Sequence, residues 1–236
     1  ATPSFTGLAP ASDSGLDRTD RATGDATPTL VGQAEAFATV TVLDGGPPIG
    51  TATADAAGNW AFTPATDLTS GTHLISVRAA DGAGNLSGVS AALAVIIDAI
   101  APAVPTIAGL TAATDTGVSN ADGITYNARP TLTGTADANV LVTIFEGASN
   151  LGATMSNGSG AWTFTPLAPL ANGLHALTAV ATDPAGNQSA ASAALAVTID
   201  ALPAGTPIIT GLAAGDDKGA SASDGTTSIA TPTLVG

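Results

Sequence analysis

The sequence has no cysteine, one tyrosine, one methionine and two tryptophans, and only five lysines and arginines against 19 acids. Each shortage removes a class of function. Without cysteine there are no disulfide staples, thiolate zinc sites or thiol nucleophiles. Five scattered cations cannot supply the basic footprint that a phosphate backbone requires, so no nucleic-acid partner is expected. No apolar run approaches the ~18 residues of a membrane span, so membrane insertion is not expected either. The opening Ala1-Thr2-Pro3-Ser4 shows neither the basic nor the apolar region of a secretory leader.

What is present argues for a packed core. The chain has 236 residues and a formal net charge of −14, a balance that in a polar chain would suggest disorder. Here the hydrophobic fraction is 44% and only 10% of residues are charged, so the net charge comes from missing cations and not from dense charge. The reading is an extracellular-type globular chain.

An internal repeat organises it. A shift of 102 residues aligns the chain on itself without a gap, with about two positions in five identical. Trp60 falls on Trp162, Pro64 on Pro166, His73 on His175 and Asn85 on Asn187. "NWAFTP" becomes "AWTFTP", and "SAALAVIID" becomes "SAALAVTID". A third copy starts near Gly205 and stops after about 32 residues, so the array is expected to continue. The expected domains are 1–100, 101–202 and 203–236, the last being the N-terminal part of a third repeat. A period this long exceeds that of solenoid units, so each repeat should carry its own core.

Local signals inside each repeat are β. Short alternating runs ("VTVLDG", "GNWAFTP", "HLISVRAAD", "ALAVIID") are divided by Gly, Asn, Asp, Ser and Pro clusters. About seven strands in about 100 residues predicts tandem immunoglobulin-like β-sandwiches in an elongated all-β array. In repeat two the predicted strands A to G are 106–110, 131–135, 140–145, 152–155, 161–165, 174–182 and 193–199. The segment 111–129 between A and B is read as a long polar loop, a length that calls for a ligand or a function.

The repeat also sorts the acids. Asp13, Asp115 and Asp217 are equivalent, as are Asp20, Asp122 and Asp224. Glu35 pairs with Asp137, Asp44 with Glu146, Asp81 with Asp183 and Asp98 with Asp200, so 14 of the 19 acids stand at repeated positions. In such a sandwich the A–B loop and the end of strand G share one pole, and the B–C and F–G loops share the other. Asp13, Asp20 and Asp98 of repeat one are therefore expected to meet Asp137 and Asp183 of repeat two at the first junction. Asp115, Asp122 and Asp200 take the same places at the second, and Asp217 and Asp224 in the third copy. Carboxylates gathered without lysine or arginine would repel one another, and a divalent cation relieves that. Calcium suits hard oxygen donors in flexible geometry; zinc, copper and nickel favour His or Cys; magnesium demands a tighter octahedron. The spacing D-x-G-x4-D is neither an EF-hand nor a GGxGxDxUx repeat. The competing reading is that these acids form turns, notably Asp183 in "DPAGN". Asp44 and Glu146 are read as solvated turn residues, and Asp17, Asp25, Asp55 and Asp67 as surface charge.

The motifs "DTGVSNADGIT", "RPTLTGTADAN", "GAWTFTP" and "ANGLHALTAVATDPAGNQSAASAALAVTID", with their copies in repeat one, resemble the bacterial immunoglobulin-like repeats of giant type I-secreted biofilm and host-cell adhesins. The resemblance covers essentially the whole chain. It implies a secreted, bacterial cell-surface array stiffened by calcium at its linkers, holding an adhesive domain away from the cell, with the Asp positions above as linker ligands. Repeat one departs in carrying Arg21 where repeat two has Gly123, and Arg18 where it has Asn120.

An enzyme needs an asymmetric site. The two histidines are equivalent and begin strand F, where a structural role at the sheet rim is expected. Trp60 and Trp162 alternate inward with Phe62 and Phe164 and are expected in the core. No nucleophile elbow is present, so catalysis is not expected. The reading is a structural extender whose partners are calcium and neighbouring repeats. The alternatives are a module binding surface glycans or host proteins, and a matrix or S-layer component making homophilic contacts.

Overall fold

The computed structural model describes residues 1–217, 221, 225 and 227–236. It is all-β, and among the described residues no helix is long and apolar enough to cross a membrane. Repeat one contains β1 (Ser4–Leu8), β2 (Ala22–Thr23), β3 (Leu30–Gln33), β4 (Thr39–Asp44), β5 (Pro48–Thr53), β6 (Asn59–Phe62), β7 (Gly71–Ala80) and β8 (Leu93–Ile97). Repeat two contains β9 (Thr106–Leu110), β10 (Ile124–Thr125), β11 (Leu132–Thr135), β12 (Leu141–Glu146), β13 (Ser149–Met155), β14 (Ala161–Phe164), β15 (Gly173–Thr182) and β16 (Leu195–Ile199). Each repeat is a sandwich of a three-stranded sheet, β1-β3-β6 or β9-β11-β14, and a five-stranded sheet, β2-β8-β7-β4-β5 or β10-β16-β15-β12-β13.

Alternation explains the layering. Along β4, Val40 and Val42 point inward and are fully buried, while Thr39 faces water; Val142 and Ile144 repeat this in β12. Trp60 lies buried among Phe5, Leu30, Ile75, Val77, Val95 and Ile97. Trp162 lies among Leu132, Leu177, Val197 and Ile199. Each indole sits over a glycine of the neighbouring strand, Gly32 or Gly134, where a side chain would collide with the ring and with backbone. Both tryptophans are thus core residues, as their alternation with phenylalanine predicts.

The predicted strands A to G of repeat two correspond to β9 and β11–β16. The long A–B segment is not a bare loop. It contains β10, and its counterpart β2 in repeat one, each pairing parallel with the final strand of its repeat. Two residues are too short to show a period-2 signal, which is why alternation alone passed over them.

Residues 201–236 form a separate compact unit. In it β17 (Gly211–Leu212) pairs antiparallel with β18 (Leu234–Val235).

Candidate functional site

The A–B segment is folded around one buried hydroxyl. Thr23, the second residue of β2, is fully buried and its Oγ1 donates to the carbonyl of Ser12 at 2.6 Å. Thr125 does the same to Thr114 at 2.7 Å. Each threonine also accepts from a backbone amide two residues on, Asp25 or Asn127, both at 3.0 Å. On the opposite side, the carbonyls of Ala9 and Thr111 each accept from a pair of amides, Ser12 and Asp13, or Thr114 and Asp115. The chain is thereby wound into a tight turn that drives one carboxylate inward.

That carboxylate is Asp13 in repeat one, Asp115 in repeat two and Asp217 in the last unit, with 5%, 4% and 7% of their surfaces exposed. One oxygen, Oδ2, accepts from the Gly123 amide at 3.2 Å in Asp115 and from the Gly225 amide at 3.3 Å in Asp217. The Arg21 amide fills that role for Asp13. The other oxygen, Oδ1, is buried without a hydrogen-bond partner in all three. Burial pushes the Asp13 carboxyl above its ordinary range, and the charges of Asp20 and Asp17 add to this against the opposing Arg21 amide and side chain. An unpartnered, buried anionic oxygen is costly. The same buried, unpartnered oxygen recurs in all three copies. The donors at hand are carboxylates and carbonyls, the set that suits calcium, so the residues fit that ion.

The same loop receives the next repeat. Pro184 and Ala185, in the loop after β15, accept from the amides of Leu16 (3.0 Å) and Gly24 (2.9 Å). The Ser14 hydroxyl donates to the Ala185 carbonyl at 3.1 Å. Asn187 Nδ2 donates both to the Asp98 carbonyl, at 2.6 Å, and to Asp183 Oδ2, at 2.9 Å. Contact is close enough that a Cβ on Gly15 would stand 2.6 Å from the Pro184 carbonyl, and one on Gly24 would strike the Asn187 side chain. The poles expected to meet do meet.

The other candidate acids are held locally. Asp20 Oδ1 accepts from Ala22 N (2.9 Å) and Asp122 Oδ1 from Ile124 N (3.0 Å). Asp98 Oδ1 accepts from Ile100 N at 3.2 Å, and Asp137 Oδ2 from Ala103 N at 2.8 Å, fastening the linker between the repeats. Asp183 Oδ1 accepts from Asn187 N at 2.9 Å, the turn geometry weighed for "DPAGN". The Asp200 amide donates to the Thr125 carbonyl at 2.9 Å. Asp224 lies outside the described residues. Among the described residues, no three His, Cys, Asp or Glu side chains form a group that could hold a metal by themselves. Any ion at Asp13 or Asp115 must therefore draw on backbone carbonyls and water.

Asp44 and Glu146 are not the solvated turn residues that the sequence suggests. Asp44 Oδ2 lies 2.6 Å from His73 Nδ1, and Glu146 Oε1 lies 2.8 Å from His175 Nδ1. In each ring Nε2 faces a carbonyl, Thr69 or Ala171, at 2.8 Å. For His73 burial opposes the charged form, but the Thr69 and Asp44 hydrogen bonds and the Asp44 charge outweigh it and raise the imidazole above its ordinary value. The pairing escaped sequence reasoning because it joins positions 29 apart; the signal was that both members recur together in each repeat.

A family described as "Bacterial Ig-like domain" matches residues 1–99 and 101–201. The chain belongs to this bacterial Ig-like family. No curated protein matches it. Among solved structures, fibronectin(III)-like modules of Clostridium thermocellum CbhA match at 17% identity and TM-score 0.46, covering 75% of this chain and 86% of theirs. A tetra-tandem repeat in the extending region of a large adhesion protein matches at 20% identity and TM-score 0.30, covering 85% and 50%. A Ca2+-stabilized adhesin of an Antarctic bacterium that binds ice matches at 21% identity and TM-score 0.38, covering 84% and 48%. The chain spans about half of each of these two adhesin structures. The two bacterial Ig-like repeats thus share one sandwich and one buried-aspartate turn.

Proposed function

We propose that this chain is a structural extender segment of a bacterial cell-surface adhesin, a secreted array that supports cell adhesion and biofilm formation. Its domains on this reading are 1–100, 101–202 and 203–236. The observation that carries the reading is the interlocked junction. Three hydrogen bonds and close glycine approaches tie the loop after β15 to the segment around Asp13, a fourth bond ties it to the Asp98 carbonyl, and such a joint resists bending.

Calcium is the ion we assign to the aspartate turns. Asp13, Asp115 and Asp217 supply the buried oxygen. Asp20 and Asp122 supply a second carboxylate from the same turn, and Asp224 is their counterpart in the sequence repeat. Asp98, Asp137, Asp183 and Asp200 border the junctions. When bound, the ion would neutralise the buried carboxylate and tie the turn together; at Asp13 that turn is the one repeat two rests on. The protein's part is to bury the oxygen, to orient it through Thr23 or Thr125 and, at Asp13, to seat repeat two against the turn. No step of catalysis is assigned to any of these residues.

Small-angle scattering with and without EDTA tests the proposal. A longer, stiffer particle in calcium is expected, and identical profiles in both conditions would refute the calcium-stiffened extender.

A further inference from the structure

The two aspartate turns differ in what fills the space beside them. In repeat two a cavity of about 310 Å³ opens next to Asp115, lined by Gly109, Asn120, Asp122, Gly123 and Ala196 among others. In repeat one the equivalent positions are Gly7, Arg18, Asp20, Arg21 and Ala94. There the Arg21 side chain lies across the gap. Its Nε donates to the Ala94 carbonyl at 3.0 Å, and its Cγ and Cδ pass 3.9 and 3.8 Å from where a Gly7 Cβ would stand. The backbone permits the exchange because residue 21 and residue 123 both adopt the left-handed region, with φ of 63° and 73°. The carbonyl of each accepts from the last strand of its repeat, from Ile96 or Thr198.

Arg21 does not make an ion pair with Asp13, whose Oδ1 stays unpartnered, yet its charge acts on that carboxylate. A guanidinium held in this space opposes the entry of a second cation by Coulomb repulsion and removes room for the ion's water. We propose that Arg21 is a built-in counter-cation standing where repeat two takes up a calcium ion, so that calcium fills the Asp115 site well before the Asp13 site. The inference rests on the calcium reading of these turns and ranks its sites. Its consequence is a first junction held by direct protein contacts at calcium levels too low to fill it, and a second turn that responds to the ion.

The test is a calcium titration of the full chain followed by the backbone amide signals of Arg21 and Gly123, which sit on Asp13 and Asp115 respectively. Asp217→Asn in every sample silences the third copy. The Gly123 signal is expected to shift at about tenfold lower calcium than that of Arg21. Arg21→Gln, which keeps most of the side chain and loses the charge, should bring the first site about tenfold toward the second. Gly123→Arg should weaken the second site to match the first, while Gly123→Ala controls for a side chain at that φ. Equal midpoints in the parent, or an unmoved first site in Arg21→Gln, would overturn the ranking while leaving calcium binding intact. Signals that do not move with calcium at all would overturn the calcium reading and this inference with it.

Discussion

Asn187 provides an internal measure of how strongly the repeats are joined, because repeat one contains its twin. Asn85 and Asn187 close the same turn, through Nδ2 to Asp81 Oδ2 at 2.8 Å and to Asp183 Oδ2 at 2.9 Å. Only Asn187 also donates across the junction, to the Asp98 carbonyl. Replacing either by alanine removes the turn contact, and only Asn187→Ala removes the junction contact. A neutral hydrogen bond contributes ~0.5–1.5 kcal/mol net, so Asn187→Ala should cost about 1 kcal/mol more than Asn85→Ala. Over a domain of about 100 residues that is an extra fall of roughly 4–8 °C in the melting temperature of the affected repeat. Denaturant unfolding of the full chain, followed by Trp60 and Trp162 fluorescence with the other tryptophan replaced by phenylalanine, reads each repeat separately. Equal costs for the two substitutions would show that the Asp98–Asn187 bond does not couple the repeats, and the account of a bonded joint would fail there.

Gly24 stands against Asn187, whereas its counterpart in repeat two is Tyr126, which is exposed. Gly24→Tyr should prise the first junction open without unfolding either sandwich, visible as a broader scattering profile with both tryptophan environments unchanged. Gly32→Ala would place a Cβ 2.5 Å from the Trp60 ring and closer still to the Ser4 carbonyl, so a loss of ~1–3 kcal/mol or more is expected in repeat one by chemical denaturation. For His73 the folded imidazole titrates above its unfolded value near ~6.5. Its contribution is therefore full below about pH 6.5 and lost as pH rises through the raised folded value. Repeat one should lose stability over that upward window, and His73→Gln should flatten the slope; an unchanged slope would contradict the Asp44–His73 pairing.

The sandwich was legible because its cues are local and repeated. Val40 and Val42, Trp60 beside Phe62, and the Gly/Asn/Asp punctuation all report on burial or on turn geometry within a few residues. The meeting of the two poles was legible as well, since it follows from strand order. Other features, like the histidine–carboxylate pairs, depend on the tertiary structure. Strands β2 and β10 are too short for periodicity. The Thr23 and Thr125 hydroxyls look like ordinary polar residues until their burial is known. The individual amide partners of the junction acids could not be read from spacing: Asp20, Asp98 and Asp183 accept from amides two to four residues on, and Asp137 from the linker amide of Ala103. What sets the Asp13 position apart is depth, and depth is a tertiary property that spacing does not encode.

Thermal unfolding as a function of calcium tests whether the aspartate turns hold a cation. An ion that binds only the folded turn raises stability with its concentration, and extracellular modules bind calcium in the ~0.1–1 mM range. Raising calcium well above that range should stabilise the chain by about 1–3 kcal/mol. Asp115→Asn, which removes the anionic character of the buried oxygen, should abolish most of that gain in repeat two while leaving the fold intact in EDTA. A melting temperature that is the same in EDTA and in 10 mM calcium, at about ten or more times the expected dissociation constant, would contradict the assignment of the unpartnered aspartate oxygens to a cation.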